Sequence, residues 1–221
     1  MLPPIISIVG KSDSGKTTLI EKLLPEILRR GYKVATVKHH SHNDFDIDVE
    51  GKDSWRHAKA GSAKAIISSP TKFAVIGKTQ EETSLNEIRA KYCDGIDLVL
   101  TEGYKSQNYP KIEIFRKGMH KELLCKDDDA LAAIVSDMKF DRNVPQFWLD
   151  DVKGIVDFIE DKFLKPSTNT EEVFLKIDGK EIPLKPFIQE FFKGTISGML
   201  KGLKGTSNGK HVSLEIRFKD K

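Results

Sequence analysis

An eight-residue segment close to the amino terminus constrains the fold of this chain more than any other feature. Residues 10–17 have the sequence GKSDSGKT, which matches the pattern G-x-x-x-x-G-K-[ST] at every fixed position. Two glycines allow a tight turn that aims several backbone N–H groups at phosphate oxygens, and Lys16 adds a positive charge for the β- and γ-phosphates. The hydroxyl of Thr17 can ligate Mg²⁺. The segment therefore predicts a phosphate-binding loop, or P-loop.

The sequence on either side gives this loop the context in which it binds phosphate. Ile5–Val9 is rich in β-branched residues and predicts a buried strand. After the loop, apolar residues at helical spacing predict a helix over residues 17–30, in which Pro25 is expected to cause a kink or remove one backbone hydrogen bond. The amino-terminal end of that helix favours an anion at the same place. The residues expected to bind the nucleotide are Gly10, Lys11, Ser12, Asp13, Ser14, Gly15, Lys16, Thr17 and Thr18.

Further apolar runs alternate with helical segments along the first three quarters of the chain. The predicted strands lie at residues 33–38, 65–68, 73–77, 96–101, 111–115, 131–135 and 146–149, and the predicted helices at residues 85–92 and 152–164. Strands that alternate with helices indicate an α/β fold with a mainly parallel sheet covered by helices on both faces. Together with the loop, this pattern predicts the P-loop NTPase fold.

The end of the chain has a different pattern. Residues 165–170, with the sequence KPSTNT, combine proline with small polar residues and predict a linker. Two strands joined by an Asp178–Gly179 turn, a long helix and a last strand are predicted beyond it, at residues 173–177, 181–184, 187–203 and 211–218. We therefore predict a P-loop domain at residues 1–165 and a small β-β-α-β module at residues 166–221, which would dock a client protein or pair with a second copy.

Composition restricts the partners of the chain. The net charge of +3 is too small to indicate nucleic acid as the main partner, and no apolar run approaches the roughly 20 residues of a membrane span. Cys93 and Cys125 are far apart, which predicts two ordinary thiols rather than a disulfide or a metal site. The amino terminus lacks the basic and apolar regions of a signal peptide, so we expect a cytoplasmic protein that binds neither membrane nor nucleic acid.

Acidic residues at predicted strand ends are candidates for the metal side of the site. Glu102 directly follows a strongly apolar strand, which is where P-loop proteins place an acidic partner for Mg²⁺ or for its water. Asp97, earlier in the same strand, is the second choice. Asp46 and Asp48 follow the second strand and would complete the metal shell. The predicted metal ligands are Thr17, Glu102, Asp46 and Asp48, and Glu102 is also predicted to act in catalysis.

Two more residues are candidates for nucleotide recognition. Lys11 occupies the second position of the loop, as in the variant G-K-x-x-x-G-K-T of nucleotide-dependent dimers such as nitrogenase iron proteins and partition ATPases. There the lysine reaches the phosphates of the partner subunit and acts in catalysis; a solvated surface lysine is the alternative. The chain lacks the N-K-x-D motif of many guanine-binding proteins. Asp137, just beyond a predicted strand, is the best substitute by position, and a plain turn residue is the alternative.

Four blocks of sequence resemble the molybdopterin-guanine dinucleotide biosynthesis adaptor proteins (MobB). They are GKSDSGKTTL at residues 10–19, the stretch at residues 37–48 with its Lys-His and Phe-Asp-Ile-Asp motifs, GKDS at residues 51–54 with Ala60-Gly61 after it, and TEGYK at residues 101–105. The resemblance covers roughly residues 4–164, and the tail is an addition that the short bacterial members lack.

This resemblance implies a homodimer that binds GTP with Mg²⁺ and is at most a slow GTPase. It further implies a role in attaching GMP to molybdopterin or in delivering the finished cofactor. Molybdopterin or its guanine dinucleotide form would be a second ligand, and other cofactor-biosynthesis proteins or client molybdoenzymes would be the partners. Gly15, Lys16 and Thr17 match the family's phosphate and Mg²⁺ ligands, and Glu102 its acidic strand-end residue. Lys38, His39, Asp46, Asp48, Lys52, Asp53 and Lys105 match family motif positions without an assigned role.

Two other functions fit parts of the sequence. His39, His40 and His42 lie close together and suggest a GTP-dependent metallochaperone, although a polar loop that faces the phosphates would have the same composition. A small-molecule kinase on the same scaffold would need a mobile lid that carries arginines. The arginines of this chain are few and scattered, which weakens that hypothesis.

Overall fold

The structure, a computed structural model, describes most of the chain in two compact units, Leu2–Leu164 and Lys165–Lys221. The described residues are 2–40, 45, 47–119, 121–125, 130–165, 173, 175–177, 180–182, 184–203 and 212. In the first unit the elements are β1 (Ile5–Val9), α1 (Lys16–Arg29), β2 (Val34–Lys38), α2 (Asp53–Lys59), β3 (Lys64–Ser68), β4 (Phe73–Gly77), α3 (Leu85–Tyr92), β5 (Leu98–Glu102), β6 (Lys111–Phe115), β7 (Leu131–Ser136), β8 (Gln146–Trp148) and α4 (Val152–Ile159), which a π-helical turn (Glu160–Leu164) extends.

Six strands of this unit form one sheet in the order β2-β5-β1-β6-β7-β8, and every neighbouring pair is parallel. The sheet confirms the predicted α/β fold of a P-loop NTPase. All five residues of β1 are buried, as expected for a strand with helices or loops over both faces. Because parallel strands end at the same edge, the segments that follow β1, β2, β5 and β6 meet there.

One face of the sheet is covered by α1 and α4. The apolar side chains of α1 recur at helical spacing and are buried against the sheet, and α1 continues through Pro25 to Arg29. Residues from β1, β5, β6 and β7 complete this core. Its largest fully buried members include Ile6, Ile8, Leu23, Ile27, Leu98, Leu100, Ile112, Ile155 and Ile159.

The opposite face is covered by α3 and by residues 121–125. The α3 helix begins at Ser84, whose hydroxyl accepts from the Glu87 N–H while the Glu87 carboxylate accepts from the Ser84 N–H, forming a capping box. On β6 the Glu113 carboxylate is buried and accepts from two backbone N–H groups, those of Leu124 and Cys125. These two hydrogen bonds satisfy the buried carboxylate and fasten the 121–125 segment to the sheet.

Two predicted strands have a different role from the one expected. β3 and β4 pair with each other as an antiparallel hairpin and are not part of the six-stranded sheet. Ile66, Ile67 and Phe73 on this hairpin are exposed. The helix α2 packs against β3 and was not predicted, because its polar sequence has no apolar stripe.

Cys93 and Cys125 are both buried and form no disulfide with each other, as the prediction of two separate thiols requires. Burial raises the pKa of the Cys93 thiol and keeps it protonated. No helix within the described ranges is long and apolar enough to cross a membrane.

The described part of the second unit contains a short antiparallel hairpin and one helix. The hairpin pairs β9 (Leu175–Ile177) with β10 (Lys180–Ile182), and α5 (Pro186–Lys201) follows with a proline in its first turn. The predicted Asp178–Gly179 turn lies outside the described residues, as does the predicted strand at residues 211–218 apart from Val212. A Cβ atom at Gly194 or Gly198 would meet nothing within 4 Å, so this side of α5 is open within the part of the chain that is described.

The Arg30 ion pairs predict a dependence of stability on pH. The guanidinium lies 2.9 Å from Glu26, 2.7 Å from Asp157 and 2.6 Å from Glu160, and so joins α1 to α4. Hydrogen bonds from Arg29 and Arg30 lower the pKa of Glu26 from 4.5 to about 2, and Arg30 also lowers that of Asp157. A lowered carboxyl pKa stabilises the fold above the unfolded-state pKa, and this contribution is lost as the pH falls from about 4.5 towards 2.

We therefore expect Arg30→Met to lower the free energy of unfolding at pH 7 and to flatten its decrease between about pH 4.5 and 2. Urea unfolding at a series of pH values would measure both effects. Arg56→Met is the matched control, since Arg56 is exposed and its ion pair with Asp53 is longer, at 3.9 Å. An unchanged acid slope in Arg30→Met would show that these ion pairs do not stabilise the fold.

The two-unit division predicts that the first unit folds without the second. A truncated protein of residues 1–165 should give a cooperative unfolding transition close to that of the P-loop unit in the full chain, because the core of that unit is built from its own residues. Calorimetry and circular dichroism would test this. If residues 1–165 do not fold, residues 166–221 belong to the same folding unit.

Candidate functional site

The loop between β1 and α1 has the backbone shape that its glycines allow. Gly10 and Gly15 have positive φ angles of 153° and 97°, and Asp13 has a φ of 59°. At Gly10 a Cβ atom would lie 2.6 Å from the carbonyl oxygen of Ile114, so no larger residue fits beside β6. Non-glycine residues seldom adopt a positive φ, and such backbone strain is concentrated at functional sites.

The start of α1 provides donors for an anion. Gly15 is the N-cap residue of α1, and no side-chain hydrogen bond caps the helix there. The first turn of α1, which the structure describes in full, contains no acidic residue. The first N–H groups of a helix have no partner within the helix, so they and the helix dipole favour a bound anion. The Lys16 ammonium lies across the loop and donates to the carbonyl oxygens of Gly10 at 3.2 Å and Lys11 at 2.7 Å.

A buried hydroxyl in the same loop also lacks a partner. The side chain of Ser14 is fully buried, and its Oγ has no hydrogen-bond partner among the residues that are described. Buried polar groups without a partner are rare in native structures and often mark a place where a ligand or water binds. The positive charge, the uncapped helix end and the glycine backbone therefore suit the binding of a phosphate group. The Ser14 hydroxyl, which has no described partner, is consistent with a ligand at this place.

Thr17 and Glu102 lie together on one side of the loop, as the sequence predicted. The Thr17 hydroxyl donates to Glu102 Oε2 at 3.0 Å. Because the proton of the hydroxyl is directed at the carboxylate, its lone pairs are free for a metal ion. The other carboxylate oxygen, Oε1, lies 3.5 Å from Lys38 Nζ. Asp97, the second choice for this role, lies before the start of β5 and accepts from the Lys33 N–H at 2.7 Å, so it is at the wrong end of the strand.

The remaining predicted metal ligands are not joined to this pair. Asp48 Oδ1 accepts from the Ser54 hydroxyl and from the Val49 N–H, both at 2.9 Å, and makes no hydrogen bond to Thr17 or Glu102 within the described parts. Asp46 lies outside the described residues. Among the residues that the structure covers, we find no group of three or more His, Cys, Asp or Glu side chains able to hold a metal ion. His42 lies outside the described residues.

His39 and Tyr104 form a small cluster beside Glu102. The His39 N–H donates to the Glu102 carbonyl oxygen at 3.0 Å, its Nε2 lies 3.2 Å from Glu82, and its ring centre is 4.8 Å from that of Tyr104. Tyr104 has a positive φ of 55°, and burial of its ring raises the pKa of its hydroxyl. At Gly103 a Cβ atom would lie 3.1 Å from the His39 Cβ. The motif Glu-Gly-Tyr therefore fixes the backbone at the end of β5.

Arg116 is a site residue that the sequence analysis missed. Its Nε donates to the carbonyl oxygen of Ser14 at 3.1 Å, and its Nη2 lies 3.2 Å from the place of a Cβ atom at Gly15. Lys22, which lies 2.7 Å from Asp150, lowers the pKa of that carboxyl group, and the positive charge of Arg116 makes a smaller contribution in the same direction. Arg116 directly follows β6, the neighbour of β1, and this position is the signal that would have found it.

Asp137 and Lys11 both make contacts at this end of the sheet. Neither contact uses the group that would carry the predicted role in nucleotide recognition. Asp137 Oδ1 accepts from the Lys117 N–H at 2.7 Å, which joins the turns after β6 and β7. This contact is the one expected of a plain turn residue, the alternative to base recognition. Within the described ranges no hydrogen bond to the second oxygen, Oδ2, occurs. Lys11 contributes its carbonyl oxygen to the Lys16 contact.

Comparison with known proteins identifies the family. The family model for molybdopterin guanine dinucleotide synthesis protein B (MobB) matches residues 5–137. The chain belongs to the MobB family. A molybdopterin-guanine dinucleotide biosynthesis adapter protein from Haemophilus influenzae is 38% identical over 159 residues, which cover 71% of this chain and 88% of the relative. A crystal structure of molybdopterin-guanine biosynthesis protein B is 35% identical, with a TM-score of 0.58 over 71% of this chain and 97% of the other.

A longer relative includes the second unit. The MobB relative from Methanocaldococcus jannaschii is 28% identical and covers 96% of this chain and 97% of its own length. The alignment with the Haemophilus relative covers 71% of this chain, a smaller share than the alignment with the Methanocaldococcus relative.

Proposed function

We propose that this MobB-family chain binds GTP and Mg²⁺ at the P-loop and serves as an adapter protein in molybdopterin guanine dinucleotide biosynthesis. The observation that carries the nucleotide proposal is the Thr17–Glu102 hydrogen bond beside an uncapped helix end and the Lys16 ammonium. The curated relatives are named as adapter proteins of this biosynthesis, which supports the biological role.

The bound ligands follow from the site and from the family. The loop and Lys16 would hold the phosphates, and Thr17 would ligate Mg²⁺ with Glu102 orienting its hydroxyl; when bound, the metal neutralises charge on the β- and γ-phosphates. Guanine is favoured by the dinucleotide in the names of the relatives, and Asp137 Oδ2 is a candidate acceptor for the N–H groups of that base. Molybdopterin, or its guanine dinucleotide form, would be the second ligand.

We further propose that the chain acts as a cytoplasmic homodimer that contacts cofactor-biosynthesis proteins or molybdoenzymes. The exposed apolar residues of the β3–β4 hairpin, Ile66, Ile67 and Phe73, support a protein partner. A two-stranded hairpin on its own is marginally stable in water, so pairing with a second copy would stabilise it. Hydrolysis would be slow, as expected of an adapter.

Lys16→Ala should abolish measurable GTP·Mg²⁺ binding and leave the fold intact. The substitution removes the ammonium that lies against the loop, while the apolar core does not include this side chain. Isothermal titration would measure binding, and thermal unfolding would check the fold. Lys22→Ala is the matched control, because Lys22 lies on the same helix and pairs with Asp150 at the surface. Wild-type affinity in Lys16→Ala would contradict the proposed site.

Lys11 is proposed to act on the phosphates of the partner subunit during hydrolysis. The specific GTPase activity should then rise with protein concentration as dimers form, and Lys11→Ala should remove that rise. Mixing Lys11→Ala with Lys16→Ala gives a sharper test. In mixed dimers the Lys16→Ala subunit binds no nucleotide, but it supplies an intact Lys11 to the other site, so part of the activity should return. Mixed dimers without any recovery would contradict a role across the interface.

A further inference from the structure

Lys38 lies at the end of the site where the metal and the last phosphate would be. It is the final residue of β2, and its cross-strand partner in β5 is Glu102. Glu102 is in turn the partner of Ile8 in β1, two residues before the loop begins. Lys38, Glu102 and the loop therefore share the edge formed by the carboxyl ends of three neighbouring strands. None of the family motifs or comparisons gives Lys38 a role.

The contact that Lys38 makes is weak and easily exchanged. Its Nζ lies 3.5 Å from Glu102 Oε1, beyond the usual length of a hydrogen bond, and 66% of its side chain is exposed. Surface ion pairs of this kind contribute little, because both side chains lose freedom and water screens the charges. The other oxygen of Glu102 holds the Thr17 hydroxyl at 3.0 Å. A single carboxylate thus separates the ammonium from the predicted metal ligand.

Binding of a metal nucleotide changes the charges around this ammonium. Mg²⁺ held by Thr17 would bring two positive charges next to Glu102 and so weaken the attraction of that carboxylate for Lys38. The γ-phosphate brings negative charge to the same place. Lys16 is held on the loop by two carbonyl oxygens, where it would meet the β-phosphate that both nucleotides carry as well as the γ-phosphate. Lys38, on a flexible and exposed stem, is free to turn to the γ-phosphate.

We propose that Lys38 moves from Glu102 to the γ-phosphate when Mg²⁺ and the nucleoside triphosphate bind, and so distinguishes the triphosphate from the diphosphate. The inference rests on the proposed nucleotide binding at the P-loop. It assigns two phosphate cations to two tasks. Lys16 holds the β-phosphate of either nucleotide and the γ-phosphate when it is present, and Lys38 contacts the γ-phosphate alone. The exchange also links the presence of the γ-phosphate to the end of β2. The second sequence block of the family resemblance, residues 37–48, begins there.

Titration calorimetry of the full chain with Mg²⁺·GDP and with Mg²⁺ and a GTP analogue that cannot be hydrolysed would test this role. Lys38→Ala should weaken binding of the triphosphate analogue by about tenfold or more, because a charge-assisted contact is lost, and leave GDP binding within about twofold. Lys38→Arg keeps the charge and should recover most of the preference. Lys33→Ala is the matched control, since Lys33 is an exposed lysine just before the opposite end of β2. Thermal unfolding would check that each variant folds.

The possible outcomes separate this inference from the proposed function. A Lys38→Ala variant that weakens both nucleotides equally, or neither, would overturn the role of Lys38 while GTP binding stands. Tighter Mg²⁺ binding with an unchanged preference for the triphosphate would also overturn it, since Lys38 would then only balance the charge of Glu102. A wild-type chain that binds neither nucleotide would overturn the proposed function, and this inference with it.

Discussion

The parallel pairing of β1 with β5 on one side and β6 on the other is the constraint on which the site depends. It places Glu102, at the end of β5, on one flank of the loop and Arg116, after β6, on the other. A buried hydrogen bond from the Thr101 hydroxyl to Ser7, 2.9 Å long, joins β5 to β1 one residue before Glu102. Any slip of one residue in this register would turn Glu102 to the other face of the sheet and away from Thr17.

The groups that suit the loop for a ligand are the same groups that make it costly to fold. An uncapped helix start, a buried Ser14 hydroxyl without a described partner and a positive φ at Asp13 are each unfavourable in an empty loop. The surrounding core has to hold them in place. Ile114 in β6 approaches Gly10 closely, and Arg116, just after β6, donates a hydrogen bond to the Ser14 carbonyl. The sheet thus stabilises a loop that has little stability of its own.

The sequence predicted those parts of the structure that local patterns determine. β1, the loop and α1 follow from a motif with its flanking periodicity, and Glu102 follows from its place after an apolar strand. The position of the β3–β4 hairpin outside the sheet could not be predicted, because its strands have the same short apolar runs as sheet strands and the difference lies in long-range pairing. Arg116 was missed for a related reason. Its role comes from the neighbour relation of β1 and β6, which is a property of the topology.

The strand order also has a consequence for the synthesis of the chain. β1 is made early, yet its neighbours β5 and β6 end at residues 102 and 115, so about half of the 221 residues must leave the ribosome before β1 is paired on both sides. Until then only contacts within local segments, such as the backbone hydrogen bonds of α1 and the pairing of β3 with β4, can form. All five residues of β1 are buried in the folded sheet, and its four apolar residues stay exposed for that whole interval, a condition in which nascent chains aggregate or engage chaperones. The loop between β1 and α1 is therefore assembled late, although its own residues are among the first to be made.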